Sequence, residues 1–146
     1  MLTVEVFRPY HVQLLMAQGV QPAQTRQVSQ VPANWASVAQ VPGPALTARA
    51  GDRLLLCGGI MPVGPKMGVL WAVLSEAASA HMLALHRATL RFIAIAPPRR
   101  LEATVEKGFP QGCRWLELMG FRFEGEMACY GLDDETHLRF AKIRAD

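Results

Sequence analysis

The residue pattern predicts a mixed α+β fold, built on a mostly antiparallel sheet of six or seven strands flanked by helices. Two observations predict it. The elements read in the order strand, helix, three strands, helix, strand, helix, hairpin. The stretch Arg100–Arg144 carries the clearest signal: a strand, a short helix that stops at a glycine, then a hairpin.

Leu2–Phe7 alternates in polarity and reads as a first strand, ended by Pro9. Tyr10–Gln18 places apolar residues at Tyr10, Leu14 and Leu15, and Gly19 stops it, so one short helix is expected. Val20–Pro44 contains Pro22, Pro32, Pro42 and Pro44, with five Gln and no acid, and cannot form a long regular element. A short helix is expected around Ala33–Ala39, with Asn34 as a cap.

Leu46–Ala50 reads as a strand, Gly51-Asp52 as a two-residue hairpin turn, and Leu54–Met61 as a longer apolar strand. Gly58-Gly59 within that strand predicts a bulge or a close backbone approach. A loop is expected over Pro62–Gly68. Val69–Leu74 is a continuous apolar run, hence a central strand. The chain changes from strand to helix at Ser75–Ser79, and Ala80–Ala94 is the longest helix, with Met82, Leu83, Leu85, Leu90 and Ile93 apolar and Pro97-Pro98 beyond it.

Leu101–Val105 alternates as a strand, and Gln111–Met119 forms a helix with a stripe of Cys113, Leu116 and Met119. Gly120 then fits the left-handed position after a helix. Phe121 and Phe123 alternate with Arg122 and Glu124, and Leu138, Phe140 and Ile143 form the returning strand. The expected core includes Leu55, Trp71, Val73, Leu85, Val105, Leu116 and Phe121.

A chain of 146 residues with 51% hydrophobic content suits one domain, residues 1–146. No run reaches the length of a membrane span, and the start lacks the basic region of a signal peptide, so no membrane association is expected. The net charge of +3 is scattered, which argues against nucleic acid and allows an anionic ligand. Cys57, Cys113 and Cys129 are odd in number and far apart, which reads as buried, reduced thiols in a cytoplasmic protein. No metal site is expected, because His11, His86 and His137 have no partner spacing for a metal or a triad. No nucleophile elbow, Walker loop or dinucleotide fingerprint occurs.

The helix ending in Met119-Gly120-Phe121, followed by the pair Glu124-Gly125, resembles the C-terminal half of the GCN5-related N-acetyltransferase (GNAT) superfamily. The closing hairpin, from Met127 through Asp133-Asp134 to Ile143, looks most like that of small GNAT-like proteins of phages and prophages. The resemblance covers about residues 52–144 and implies a splayed sheet with about four helices. It also implies acetyl-CoA, bound at the turn between the central strand and the long helix. The positions implied are Val73, Ser75, Ala77, Ala78, Ser79, Ala80 and His81. Backbone N–H groups and the helix dipole serve a diphosphate there.

Three departures from the family stand beside this. Ser75–Met82 holds no glycine, Arg or Lys, and Glu76 puts a negative charge where phosphates would sit. His81 would compensate if protonated. Phe109 stands where members carry an Asn, and Leu116 where they carry a Tyr acid. Amine acetylation needs a base, and Glu76 or Glu102 supplies a carboxylate of suitable chemistry. The remaining phenols are Tyr10 and Tyr130, and Tyr130, at the hairpin turn, is the one considered as an acid.

Two functions follow from the resemblance. One is an N-acetyltransferase that moves acetyl from acetyl-CoA to a protein N-terminus, a lysine or a small amine in the host cytoplasm. The other is a non-catalytic accessory or virion-associated interaction protein, with a homodimer or a phage structural protein as partner.

Overall fold

The computed structural model describes residues 1–20, 43–131 and 133–145. Seven strands form one mixed sheet in the order β1-β2-β3-β4-β5-β7-β6. They are β1 Leu2–Val6, β2 Ala45–Ala50, β3 Arg53–Gly64, β4 Met67–Leu74, β5 Arg100–Glu106, β6 Arg122–Met127 and β7 His137–Ile143. Three α-helices accompany them among the described residues: α1 Tyr10–Gln18, α2 Met82–Ala94 and α3 Pro110–Leu118. The count is one below expectation, and the short helix expected at Ala33–Ala39 lies outside the described residues. No helix among the described residues is long and apolar enough to cross a membrane. The chain forms two compact units, Met1–Met61 with Trp71–Ile95, and Pro62–Leu70 with Ala96–Asp146.

In the first unit β1 pairs antiparallel with β2, from Leu2↔Ala50 to Val6↔Leu46. Strand β2 turns at Gly51-Asp52 into β3, and Gly51 takes the left-handed φ of 58° that this tight turn needs. The register shifts between Ala48↔Leu56 and Arg49↔Leu54, so Leu55 bulges out of the ladder. Every residue from Leu54 to Ile60 is buried. The close approach predicted at Gly58-Gly59 is present. A Cβ on Gly59 would lie 2.5 Å from the Pro44 carbonyl oxygen, and one on Gly58 would lie 2.9 Å from that of Trp71.

Strand β3 runs past its expected end at Met61 to Gly64, and β4 begins at Met67 instead of Val69. The expected loop shrinks to Pro65-Lys66, with the β3 tail from Met61 to Gly64 exposed. The core of this unit joins Phe7, Val12, Leu15, Leu54, Cys57 and Val73, with Trp71 half-buried against it.

Helix α1 has the expected bounds but a different buried face. Tyr10 and Leu14 are exposed, while His11, Val12 and Leu15 are buried. A polar residue can turn inward here because its ring is fully bonded. His11 Nδ1 accepts from the Arg8 backbone N–H at 3.0 Å and lies 2.7 Å from Thr47 Oγ1. Its Nε2 meets Glu5 Oε1 at 3.1 Å, which assigns the proton to Nε2. Burial pushes the His11 pKa below its ordinary value, against the opposing pull of Glu5, with Arg49 and Arg8 adding to the depression. Beyond Thr47, the Cys57 thiol is fully buried, and burial pushes its pKa up to about 12. The cysteines divide by environment: Cys57 is buried, Cys113 half-buried and Cys129 exposed, so burial of all three does not hold.

In the second unit β5 pairs antiparallel with β7, from Arg100↔Ile143 to Glu106↔His137, and β7 pairs antiparallel with β6. Strand β5 also pairs parallel with β4, over Met67–Val69 and Arg100–Glu102. Helix α3 begins with Pro110 at its first turn, where a missing N–H costs nothing. Its end is a Schellman motif: Phe121 N–H donates to Leu116 O at 2.9 Å and Gly120 N–H to Glu117 O at 3.0 Å, with Gly120 at φ 92°. Lys142 Nζ donates to the Met119 carbonyl at 2.7 Å.

Of the expected core, Leu55, Val73, Leu85, Leu116 and Phe121 are buried, while Trp71 and Val105 are half-buried. Phe123 is exposed.

Leu116 is 7% exposed, so Leu116→Ala should cost about 2–5 kcal/mol in chemical denaturation. The His11 network predicts a pH dependence. The unfolded imidazole binds a proton near its ordinary pKa of 6.5, and the folded one does so at lower pH. Stability should therefore be full above pH 6.5 and fall as pH drops from there through the lowered folded value. Denaturation midpoints measured along this window should decline in the native protein, and the decline should flatten in His11→Gln.

Candidate functional site

Strand β4 ends at Leu74, and the chain then winds into a 3-10 helix, Glu76–His81, before α2 begins at Met82. The helix proper thus starts two residues later than the expected Ala80. The short helix is acidic at its first residue, Glu76, and ends on the basic His81.

Ser75 sets the turn. Its N–H donates to Leu55 O at 3.0 Å, and its Oγ donates to Leu54 O at 2.7 Å. It also forms an antiparallel bridge with Val20. The Glu76 N–H donates to Gly19 O at 3.0 Å, and the Ala78 N–H to Ser75 O at 3.1 Å. Three N–H groups of the turn are therefore bonded within the protein. The Ser79 hydroxyl donates back to Glu76 O at 3.1 Å.

The implied cofactor positions fall into two groups. Val73, Ser75 and Ala78 are buried, whereas Ala77, Ser79, Ala80 and His81 reach the surface. The Glu76 carboxylate is exposed and lies beside Gly19, 3.4 Å from where a Cβ would sit on that glycine. Gly19 has φ 112°, a backbone conformation that calls for glycine. This donor set suits the diphosphate of coenzyme A poorly: the N–H groups of Ser75, Glu76 and Ala78 are spent, and its one charged side chain ahead of His81 repels phosphate.

Glu102, on β5, is partly buried and sits in a chain of ion pairs. Its Oε2 accepts from Arg100 Nε at 2.8 Å, and its Oε1 lies 4.0 Å from Arg139 Nε. Arg100 also grips Glu124 with both terminal nitrogens. Glu124 can reach it because the β6–β7 register shifts between Phe123 and Gly125, leaving Glu124 as the bulged residue. Arg100 holds the Glu124 carboxyl below its ordinary pKa. To act as a base, Glu102 would have to exchange an arginine contact for the substrate proton.

Tyr130 is exposed, with its ring centroid 5.1 Å from that of His137. The structure thus leaves Glu76, Glu102 and Tyr130 on different elements, and joins Tyr130 to a group that local spacing did not reveal. Glu106, Glu135 and His137 offer ligand atoms within 4.8 Å of one another. Glu106 and His137 are opposite partners in the β5–β7 ladder. The signal in the sequence was Glu135-x-His137, whose two-residue spacing puts both side chains on one face of an extended segment.

No protein-family model matches the chain, and no curated protein matches it. Solved structures do. The Vibrio cholerae spermidine N-acetyltransferase SpeG, as a chimera with hSSAT, superposes with TM-score 0.75 at 11% identity, covering 97% of this chain and 95% of that one. YncA of Salmonella typhimurium, solved with its cofactor acetyl-CoA, gives 0.71 at 9% identity over 99% of this chain and 95% of that one. A GNAT-family acetyltransferase of Streptococcus pneumoniae gives 0.65 at 14% identity over 99% and 100%. At such identities the likeness speaks for architecture: this chain has the fold of the GNAT N-acetyltransferases.

Proposed function

We propose that this protein is an N-acetyltransferase-like protein of the phage or prophage GNAT type, a single domain over residues 1–146. It would take acetyl from acetyl-CoA to an amine, held weakly at the turn after β4. The observation that supports this reading is the full-length likeness to acetyltransferase structures, among them a spermidine N-acetyltransferase and one solved with its cofactor acetyl-CoA. The acceptor class is a small amine or a protein amine in the host cytoplasm. On this reading Glu76, exposed at the start of the short helix after β4, takes the proton from the acceptor ammonium. Glu102 is the less suited base because arginines occupy its oxygens.

One observation favours a second reading, a non-catalytic accessory or virion-associated protein that pairs with itself or with a phage structural protein. The N–H groups of Ser75, Glu76 and Ala78 are bonded within the fold, and Glu76 stands at the first turn. Backbone groups already satisfied contribute little to an incoming phosphate.

Titration calorimetry with acetyl-CoA separates the two. Weak binding is expected in the native protein, tightened about tenfold, or ~1.4 kcal/mol, in Glu76→Gly. Mass spectrometry of a polyamine and of an N-terminal peptide should then show acetylation by the native protein. Sub-micromolar affinity in the native protein would overturn the reading of the turn. No binding by the native protein and Glu76→Gly alike would leave the accessory role as the better account.

A further inference from the structure

The β5–β7 ladder and the loop before β7 build a compact cluster that acetyl transfer does not use. Glu106 and His137 face each other across two antiparallel strands, a position that brings their Cβ atoms to about 4.5–5.5 Å. Glu135 precedes His137 by two residues and reaches the same ring, its Oε1 lying 3.3 Å from His137 Nε2. The side chains of His137 and Glu135 are 18% and 13% exposed. His137 Nδ1 is buried and has no hydrogen-bond partner among the described residues. Among the described residues the ring is hydrogen-bonded through Nε2 alone, beside two carboxylates.

The loop fixes Glu135 in this position. Its carbonyl accepts from the N–H groups of Tyr130 and Gly131, each at 3.2 Å. Its Oε2 accepts from the Asp133 N–H at 3.0 Å, leaving Oε1 turned toward His137. The carboxylate fills the space that a Cβ would take on Gly131, so a larger residue there would displace Glu135. Tyr130 packs its ring against His137 and screens it.

We propose that Glu106, Glu135 and His137 form a binding site for a divalent transition-metal ion such as Zn²⁺ or Co²⁺. One imidazole nitrogen and two carboxylate oxygens are a donor set for a borderline cation, not for a thiophilic one or for calcium with its six to eight oxygens. Bonds of about 2.0–2.2 Å in a tetrahedron put ligand atoms roughly 3.3–3.5 Å apart. The Glu135–His137 separation already has that value, and a small inward shift of Glu106 completes the set. Three protein ligands leave one position to solvent. The ion would pin the loop from Tyr130 to Glu135 onto β5 and β7.

Titration of the purified full chain with Co²⁺, followed by visible absorption and calorimetry, tests this. Cys129→Ser is the parent, because the exposed thiol lies near the loop and would compete. One ion per chain should bind with d–d bands of a four- or five-coordinate N/O site and no thiolate band. Zn²⁺ should displace it and raise the thermal midpoint. His137→Ala and Glu106→Gln should each weaken binding by at least about tenfold, the lower limit for loss of even an outer partner of a metal site. Near-UV circular dichroism of the metal-free variants reports their folding. If His137→Ala does not fold, Glu106→Gln decides alone, since it keeps the shape of its side chain. Binding weaker than millimolar in the parent, or equal binding in parent and folded variants, would overturn the proposal.

Discussion

The bulge at Leu55 is the constraint on which the candidate site depends. At a bulge the ladder is interrupted, and backbone groups next to it need other partners. Here the Gln18 side chain takes both polar groups of Leu54, donating to its carbonyl and accepting from its N–H, each at 2.9 Å. Ser75 takes the remainder through its hydroxyl to Leu54 O and its N–H to Leu55 O. One irregular residue in β3 therefore holds the C-terminal end of α1 and the C-terminal end of β4 in a single hydrogen-bonded knot. The buried hydroxyl of Ser75 is consequently a structural bond, and the turn beyond it inherits its direction.

That knot also explains why the turn reads differently in sequence and in space. Ser75-Glu76-Ala77-Ala78-Ser79 looks like a free helix start, with serines ready to cap or to donate. In the fold neither serine caps a helix: no side-chain cap bond forms at Ser75 or at His81. The first turn is tightened into 3-10 form instead, which satisfies its N–H groups over a shorter span. What distinguishes a phosphate cradle from a closed turn is which carbonyls lie nearby, and those belong to Gly19, Leu54 and Leu55. These are distant in sequence, so local pattern does not report them.

The ends marked by Gly51 and Gly120 were legible because they are local events, whereas Pro62 did not end β3, which runs on to Gly64. Gly51 and Gly120 occupy left-handed positions that few other residues tolerate, and both ends fall where expected. The face of α1 was not legible. Counting apolar residues favours Tyr10 and Leu14, whereas burial follows His11, whose partners Glu5 and Thr47 lie on two different strands. The Glu106–His137 pairing was hidden for the same reason. It depends on the β5–β7 register, a relation between residues 31 positions apart. Glu102 shows the converse. Its residue type suited a base, but the arginines beside it come from its own strand and from β7.

The shift at Glu124 has a further consequence, for association between chains. Strand β6 lies at one edge of the sheet, where a row of unpaired N–H and C=O groups could template another strand. This edge carries Arg122, Glu124 and Glu126, all exposed, and it is broken at its centre by the bulge. An approaching strand would have to bury those charges and match an irregular ladder, both of which oppose runaway edge-to-edge growth. The residue that reaches Arg100 from β6 thereby also helps keep the sheet finite.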